Sequence, residues 1–203
     1  MNISNLYRYA IDGTATSSHA VELSLSGIVS HQDTHRWRQI LFVPQATLDG
    51  FALSATALRA NVIIRGGTNI HDLPSGTVVT IGAVKVRLTF HCEPCKKITG
   101  VVSTKAILHQ RGYFGQVIQP GLISWDDKIA VSAERMPAIP YAVADRVRWY
   151  LAQQSEPMTA SQLLRDLGVP LSYCRALPNI IRNRPDIDPA QIIYASARKK
   201  PSR

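Results

Sequence analysis

The chain has 203 residues, of which 45% are hydrophobic, and a net charge of +9. No apolar run reaches the ~18 residues that span a bilayer. The opening MNISNLYRYA lacks the basic-then-apolar layout of a signal peptide, so a cytoplasmic protein with no membrane partner is expected. Three cysteines, an odd and small number, argue against a disulfide framework and leave thiols that are buried, metal-bound or reactive.

Residues 21–26 (VELSLS), 38–43 (RQILFV) and 78–81 (VVTI) are rich in β-branched and apolar side chains and predict strands. Residues 85–90 (KVRLTF) alternate basic with apolar, the period-two pattern of a half-buried strand. Residues 115–119 and 128–132 read the same way. Pro74-Ser75-Gly76, Gly82, Pro120-Gly121 and Asp126-Asp127 supply turns between them. Residues 45–60 predict the one helix of this half, with Leu48, Phe51, Ala52 and Ala55 at helical spacing. Many short strands with few helices predict a closed or nearly closed β-barrel.

Pro137 and Pro140 predict a linker. Beyond it, residues 143–152 form an amphipathic pattern on Val143, Val147, Tyr150 and Leu151. Thr159 caps a second predicted helix over 160–167, closed by Gly168, and residues 171–183 predict a third. The fold class expected is mainly β with α: a barrel over residues 1–135 and a small helical, winged-helix-like module over 136–203.

Charge is uneven. Residues 1–140 hold 13 basic and 9 acidic side chains, and residues 141–203 hold 10 and 5. The denser positive field of the last third favours anionic partners, nucleic acid among them. The alternative is a solvated surface with a basic tail at Arg198, Lys199, Lys200 and Arg203.

The segment Cys92-Glu93-Pro94-Cys95-Lys96-Lys97 directly follows the predicted strand and His91. A cysteine at a strand end beside two lysines sits in a positive field that favours thiolate, the form needed for persulfide chemistry, metal ligation or nucleophilic attack. Three alternatives stay open. Half a zinc site would need a second pair of ligands. A thioredoxin-like redox pair would need the motif to open a helix. A plain buried pair needs nothing more.

Residues 57–100 resemble the core of the MOSC domain family, named for the C-terminal domain of molybdenum cofactor sulfurases. The resemblance rests on Leu58-Arg59-Ala60-Asn61-Val62, Arg65-Gly66-Gly67, Ile81-Gly82 and Cys92-Glu93-Pro94-Cys95. His109-Gln110-Arg111-Gly112 and Gly121 to Asp127 extend it to about 140 residues. It implies a β-barrel expected to place Cys95 at a strand end facing a pocket. It also implies that Cys95 ligates the molybdenum of a pterin cofactor or carries sulfane sulfur, with a sulfur donor protein or a molybdoenzyme as partner. Arg59, Asn61, Lys96 and Arg111 match positions that line or shape the cofactor pocket. Arginine and lysine suit a phosphate-bearing pterin, while Arg59 and Asn61 equally suit a loop held by side-chain-to-backbone bonds. Asp126 stands where the family usually has glycine, so a different turn is expected there.

Residues 157–194 resemble the DNA-binding module of the methylguanine-DNA methyltransferase family through Gly168-Val169-Pro170, Cys174-Arg175-Ala176-Leu177 and Asn183-Arg184-Pro185. Arg175 matches the arginine that supports base flipping. Pro189-Ala190-Gln191 falls where that family has its nucleophile, so alkyl transfer is excluded and a non-enzymatic nucleic-acid-binding shell is what the resemblance implies.

Overall fold

The computed structural model describes residues 1–29, 35–95 and 98–194. The chain divides into two compact units, Met1–Ile139 and Pro140–Arg203.

The first unit is built on β1 (Asn2–Tyr9), β2 (Ala15–Ser17), β3 (Ala20–Ser24), β4 (Gly27–Ile28), β5 (Ile40–Pro44), β6 (Val62–Arg65), β7 (Thr77–Ile81), β8 (Val84–His91), β9 (Tyr113–Gln119), β10 (Gly121–Ser124) and β11 (Ile129–Arg135). Eight of these form one sheet in the order β11-β7-β8-β9-β5-β6-β1-β2, and β10-β3-β4 form a second. The pairing is antiparallel except for β5 with β6. The large sheet curls until the start of β1 touches the segment leading into β11. Asn2 bridges Lys128, the Ile3 N–H donates to Asp127 O at 3.0 Å, and the Ile129 N–H donates to Met1 O at 2.8 Å. The contact is a bridge rather than a full ladder, so the barrel is nearly closed. Inside it pack Ile3, Leu6, Ile40, Phe42, Val86, Leu88 and Val117 among others, all buried. A full burial of such a side chain contributes about 1.5–3 kcal/mol.

Three local readings change. The single helix over 45–60 is two short ones, α1 (Gln45–Gly50) and α2 (Ala55–Leu58). Gly50 weakens the helix, Ala52 turns left-handed at φ 51°, and the Ser54 side chain starts the second helix by accepting from the Ala57 N–H. Strand β8 is buried on both faces rather than half-buried. Arg87 is covered because its guanidinium donates to Pro137 O and to Gln116 Oε1. Residues 136–139, expected as linker, are bonded to the barrel: the Met136 N–H donates to Gly76 O and the Ile139 N–H to Ser75 Oγ. A Cβ at Gly76, whose φ is +86°, would collide with Met136 O, so this strap needs the glycine. Asp126 itself takes the left-handed φ of 65° and pairs with Arg65 at 2.5 Å. Aspartate tolerates that conformation, so the turn does without the glycine.

The second unit holds α3 (Val143–Leu151), β12 (Met158–Thr159), α4 (Ala160–Asp166), α5 (Leu177–Ile181) and β13 (Ile192–Ile193), with short 3-10 turns at Leu171–Arg175 and Pro189–Gln191. The Thr159 side chain caps α4 as expected, accepting from the Gln162 N–H, and Gly168 follows with φ +65°. The third predicted helix is interrupted after Arg175, since Pro178 has no N–H to carry it and fits only the first turn of α5. Val147, Leu151, Leu163, Leu164, Leu167 and Leu177 form its core. β12 and β13 pair in parallel over two residues each.

Candidate functional site

Strand β8 ends at His91, and residues 92–95 leave the sheet without regular structure. The loop that precedes β9 folds back against them. Its Gly112 lies at φ +137°, where a Cβ would come within 2.7 Å of Phe42 O, and its carbonyl accepts from the Cys92 N–H at 2.8 Å. This close approach brings Arg111 beneath the cysteine segment.

Arg111 is 5% exposed. One of its nitrogens, Nη1, donates to Glu93 O at 2.6 Å and to Cys95 Sγ at 3.2 Å. Its Nε is buried with no hydrogen-bond partner. Glu93 is gripped at its other end too, where the carboxylate accepts from Arg38 Nη2 at 2.9 Å. The Arg38 guanidinium lies over the rings of Phe90 and Phe114, 5.2 and 4.9 Å from their centroids. Two arginines thus fix the residue between the cysteines, one through its carbonyl and one through its carboxylate.

The two thiols differ sharply. Cys92 is 3% exposed and packs among Leu41, Val43, Leu58 and Ile107. Burial pushes its thiol up to about 12, with Arg111 opposing the shift. Cys95 is exposed, carries no disulfide, and presents its sulfur to a guanidinium, the partner a thiolate prefers. Cys174 lies in the second unit, in the 3-10 turn before Arg175.

A cavity of about 570 Å³ has a wall that includes Thr47, Phe51, His71, Asp72, His109 and Gln110. Cys95 is not in that wall. The connection runs through the chain, because Gln110 precedes Arg111. The rings of His71 and His109 flank His91 at 5.9 and 5.3 Å, and Tyr113 packs on His91 at 4.5 Å. His91 Nε2 donates to His71 O at 3.0 Å, which places its proton on that nitrogen. His71 Nε2 is buried without a partner. Burial, with help from His91, holds His71 down to about 4, so its imidazole is neutral at pH 7.

The remaining expected site residues lie elsewhere. Asn61, 7% exposed, accepts from the Leu41 N–H at 2.9 Å and donates to Tyr7 O at 3.4 Å, tying β5 to β1. Arg59 ends α2 at φ 58° and lays its guanidinium 5.3 Å from the Tyr9 ring centroid. Both positions have the geometry of loop-holding residues, and neither has Cys95 or Arg111 among its bonded partners. Lys96 and Lys97 fall outside the described residues, as does the basic tail. Arg175 is exposed. Around it the basic side chains are engaged within the unit: Arg184 bonds Asp145 and Asp186, Arg148 bonds Asp186, and Arg182 bonds Asn179. Arg38 and His71 were not singled out by sequence reasoning, and His91 and His109 stood in quoted strings without a role of their own. They come from separate elements, and no local spacing unites them.

The family model described as MOSC domain matches residues 24–130, a stretch that contains Arg59, Asn61, Cys95 and Arg111. No curated protein sequence matches. Among solved structures, the YuaD protein from Bacillus subtilis is similar with a TM-score of 0.55 at 15% identity, covering 63% of this chain and 93% of that one. YiiM from Escherichia coli gives 0.53 at 14% identity, covering 96% and 100%. YiiM from Geobacillus stearothermophilus gives 0.50 at 14% identity, covering 89% and 96%. At these identities the likeness is one of fold, and in the two YiiM structures it extends over most of the chain.

Proposed function

This chain belongs to the MOSC domain family, and on that premise we propose that it handles the molybdenum cofactor through Cys95, whose sulfur ligates the metal of the pterin cofactor. The observation that carries this reading is the pairing of an exposed Cys95 sulfur with the buried Arg111 guanidinium at 3.2 Å.

The residues present fit the group. Among the described residues no cluster of three or more His, Cys, Asp or Glu side chains is arranged to hold a metal ion. A bare ion is therefore poorly served, while a metal that arrives already ligated by its pterin needs only one thiolate from the protein. The Arg111 guanidinium at the Cys95 sulfur supplies positive charge suited to an anionic cofactor. When bound, the molybdenum supplies two-electron redox chemistry. The chain itself orients the Cys95 sulfur through Arg111 and holds the preceding carbonyl and carboxylate through Arg111 and Arg38. Asn61 holds β5 to β1 and Arg59 packs on Tyr9, so both serve the fold that carries the site.

A second reading draws on the exposure of Cys95 outside the cavity wall. A surface thiolate is placed to carry sulfane sulfur as a persulfide between a donor protein and a molybdoenzyme. Elemental analysis of the purified full-length protein, together with cyanolysis for sulfane sulfur, separates the two. Molybdenum near one equivalent, lost in Cys95→Ala, supports the first. Cyanolysable sulfur lost in the same variant supports the second. Retention of either in Cys95→Ala, with the fold intact, overturns the role of Cys95 in binding it.

A further inference from the structure

Cys92 is left unexplained by that function. It lies three residues before Cys95, is sealed from solvent, and shares its surroundings with the exposed thiol. Its sulfur sits 3.9 Å from Glu93 O, the carbonyl that also takes Arg111 Nη1 at 2.6 Å, and that same nitrogen reaches Cys95 Sγ at 3.2 Å. One carbonyl and one guanidinium nitrogen therefore link the surroundings of the two sulfurs. The segment joining them belongs to no helix or strand, so it can rearrange without breaking a sheet ladder.

We propose that residues 92–95 form a modification site in which Cys92 captures oxidised Cys95 as an intramolecular disulfide. The oxidant is a hydroperoxide. Its O–O bond breaks as a Cys95 S–O bond forms, two electrons leave the sulfur, and hydroxide departs. The Cys92 sulfur then attacks the Cys95 sulfur, the S–O bond breaks, and the Cys92 proton leaves with the hydroxide as water. Two thiols and one hydrogen peroxide give one disulfide and two waters.

Burial gives the two cysteines different parts in this sequence. Oxidant in solution reaches Cys95 and not Cys92, while the capturing thiol is delivered along the chain at a high local concentration. An accessible thiolate poised beside a resolving cysteine is the arrangement that stops oxidation at a reversible stage. Capture draws Cys92 out of its apolar cluster with Leu41, Val43 and Ile107, and a closed loop this short constrains the unfolded chain little. The oxidised protein is therefore less stable than the reduced one.

The test uses full-length protein, reduced and then exposed to hydrogen peroxide. Trypsin cleavage after Arg87 and Lys96 releases residues 88–96 with both cysteines. In the native protein this peptide becomes two hydrogens lighter and reverts with dithiothreitol. In Cys92→Ser, and in Cys92→Val as a better-packing control, it instead gains oxygen at Cys95, with sulfinic and sulfonic forms raised about tenfold. The proposal is overturned if native protein accumulates those acids while Cys92 stays open to alkylation after unfolding. It is equally overturned if Cys95 bonds to Cys174 or to a second chain. The outcome is independent of molybdenum, so failure here leaves the metal assay on Cys95→Ala to stand or fall alone.

Discussion

The first unit buries two arginines, Arg87 and Arg111, and the second buries Arg146, and the deepest of each unit are treated differently. Arg146 in the second unit is 0% exposed and spreads its donors over three main-chain carbonyls: Nε to Pro140 O, Nη2 to Tyr141 O and Nη1 to Leu167 O. It fastens the start of α3 to the chain before it and to the end of α4. Arg111 in the first unit is nearly as deep, yet it crowds a carbonyl and a thiol onto one nitrogen and leaves Nε unmatched. A buried donor without a partner costs about 1–3 kcal/mol. Arg87 also keeps an unmatched Nε while bonding Pro137 O and Gln116, so the contrast rests on the thiol that Arg111 takes as a partner.

That contrast can be broken most forcefully at Arg146. Arg146→Met strands three carbonyls, and a loss of about 3 kcal/mol is expected in urea unfolding. Alkylation of Cys95 should be unaffected. A loss under about 1 kcal/mol would mean that the buried charge was itself costing as much as its bonds gave. At Arg111 the effect should move from stability to reactivity. Arg111→Met is expected to slow iodoacetamide labelling of Cys95 near neutral pH about tenfold, equivalent to about 1.4 kcal/mol. Unchanged labelling would remove Arg111 from the thiolate's environment.

Acid offers a smaller effect, confined to the first unit. His71 is held below its ordinary value, so the unfolded chain takes up the proton first. Stability is complete above about pH 6.5 and is lost as pH falls toward about 4, and His91 shifts in the same direction. After solvent screening of a partly exposed ring the loss is on the order of 1 kcal/mol. His71→Gln should flatten the curve in that window, and an unaltered slope would assign the acid sensitivity to other groups. The smallest effect is expected at Arg175, where alanine should change stability by less than about 0.5 kcal/mol. A titration of the full chain with duplex DNA at about 50 mM salt decides the nucleic-acid resemblance. Binding that falls steeply with salt and weakens in Arg175→Ala would revive it.

How much of this was legible beforehand depends on the range of the interaction. Strands β7, β8 and β9 were readable because burial on a sheet leaves β-branched residues in short runs. The partners of β1 and β6 are fixed by distant pairing, and neither was singled out as a strand. The cysteine segment and Arg111 were readable as motifs. The grip of Arg38 on Glu93 was not, because 55 residues separate them. Cys95 was set apart from Cys92 by the resemblance, but the burial of one thiol and the Arg111 contact of the other gave no sign in the spacing. Asn61 suited a ligand and a loop-holding residue equally, because a polar residue has the same letter whether it binds a cofactor or a backbone.

The seam at Asn2 and Lys128 sets a timetable for synthesis. The Met1 amino group lies 3.4 Å from Ile129 O, 128 residues further along the chain. Until that stretch has been made, β1 can pair with β6 on one edge and, over residues 7–9, with β2 on the other, while the start of that second edge stays open. Contacts this distant in sequence close late and slowly. For most of translation the unit is thus an unsealed sheet, and the interval before the seam forms is when such a chain is most exposed to edge-to-edge association.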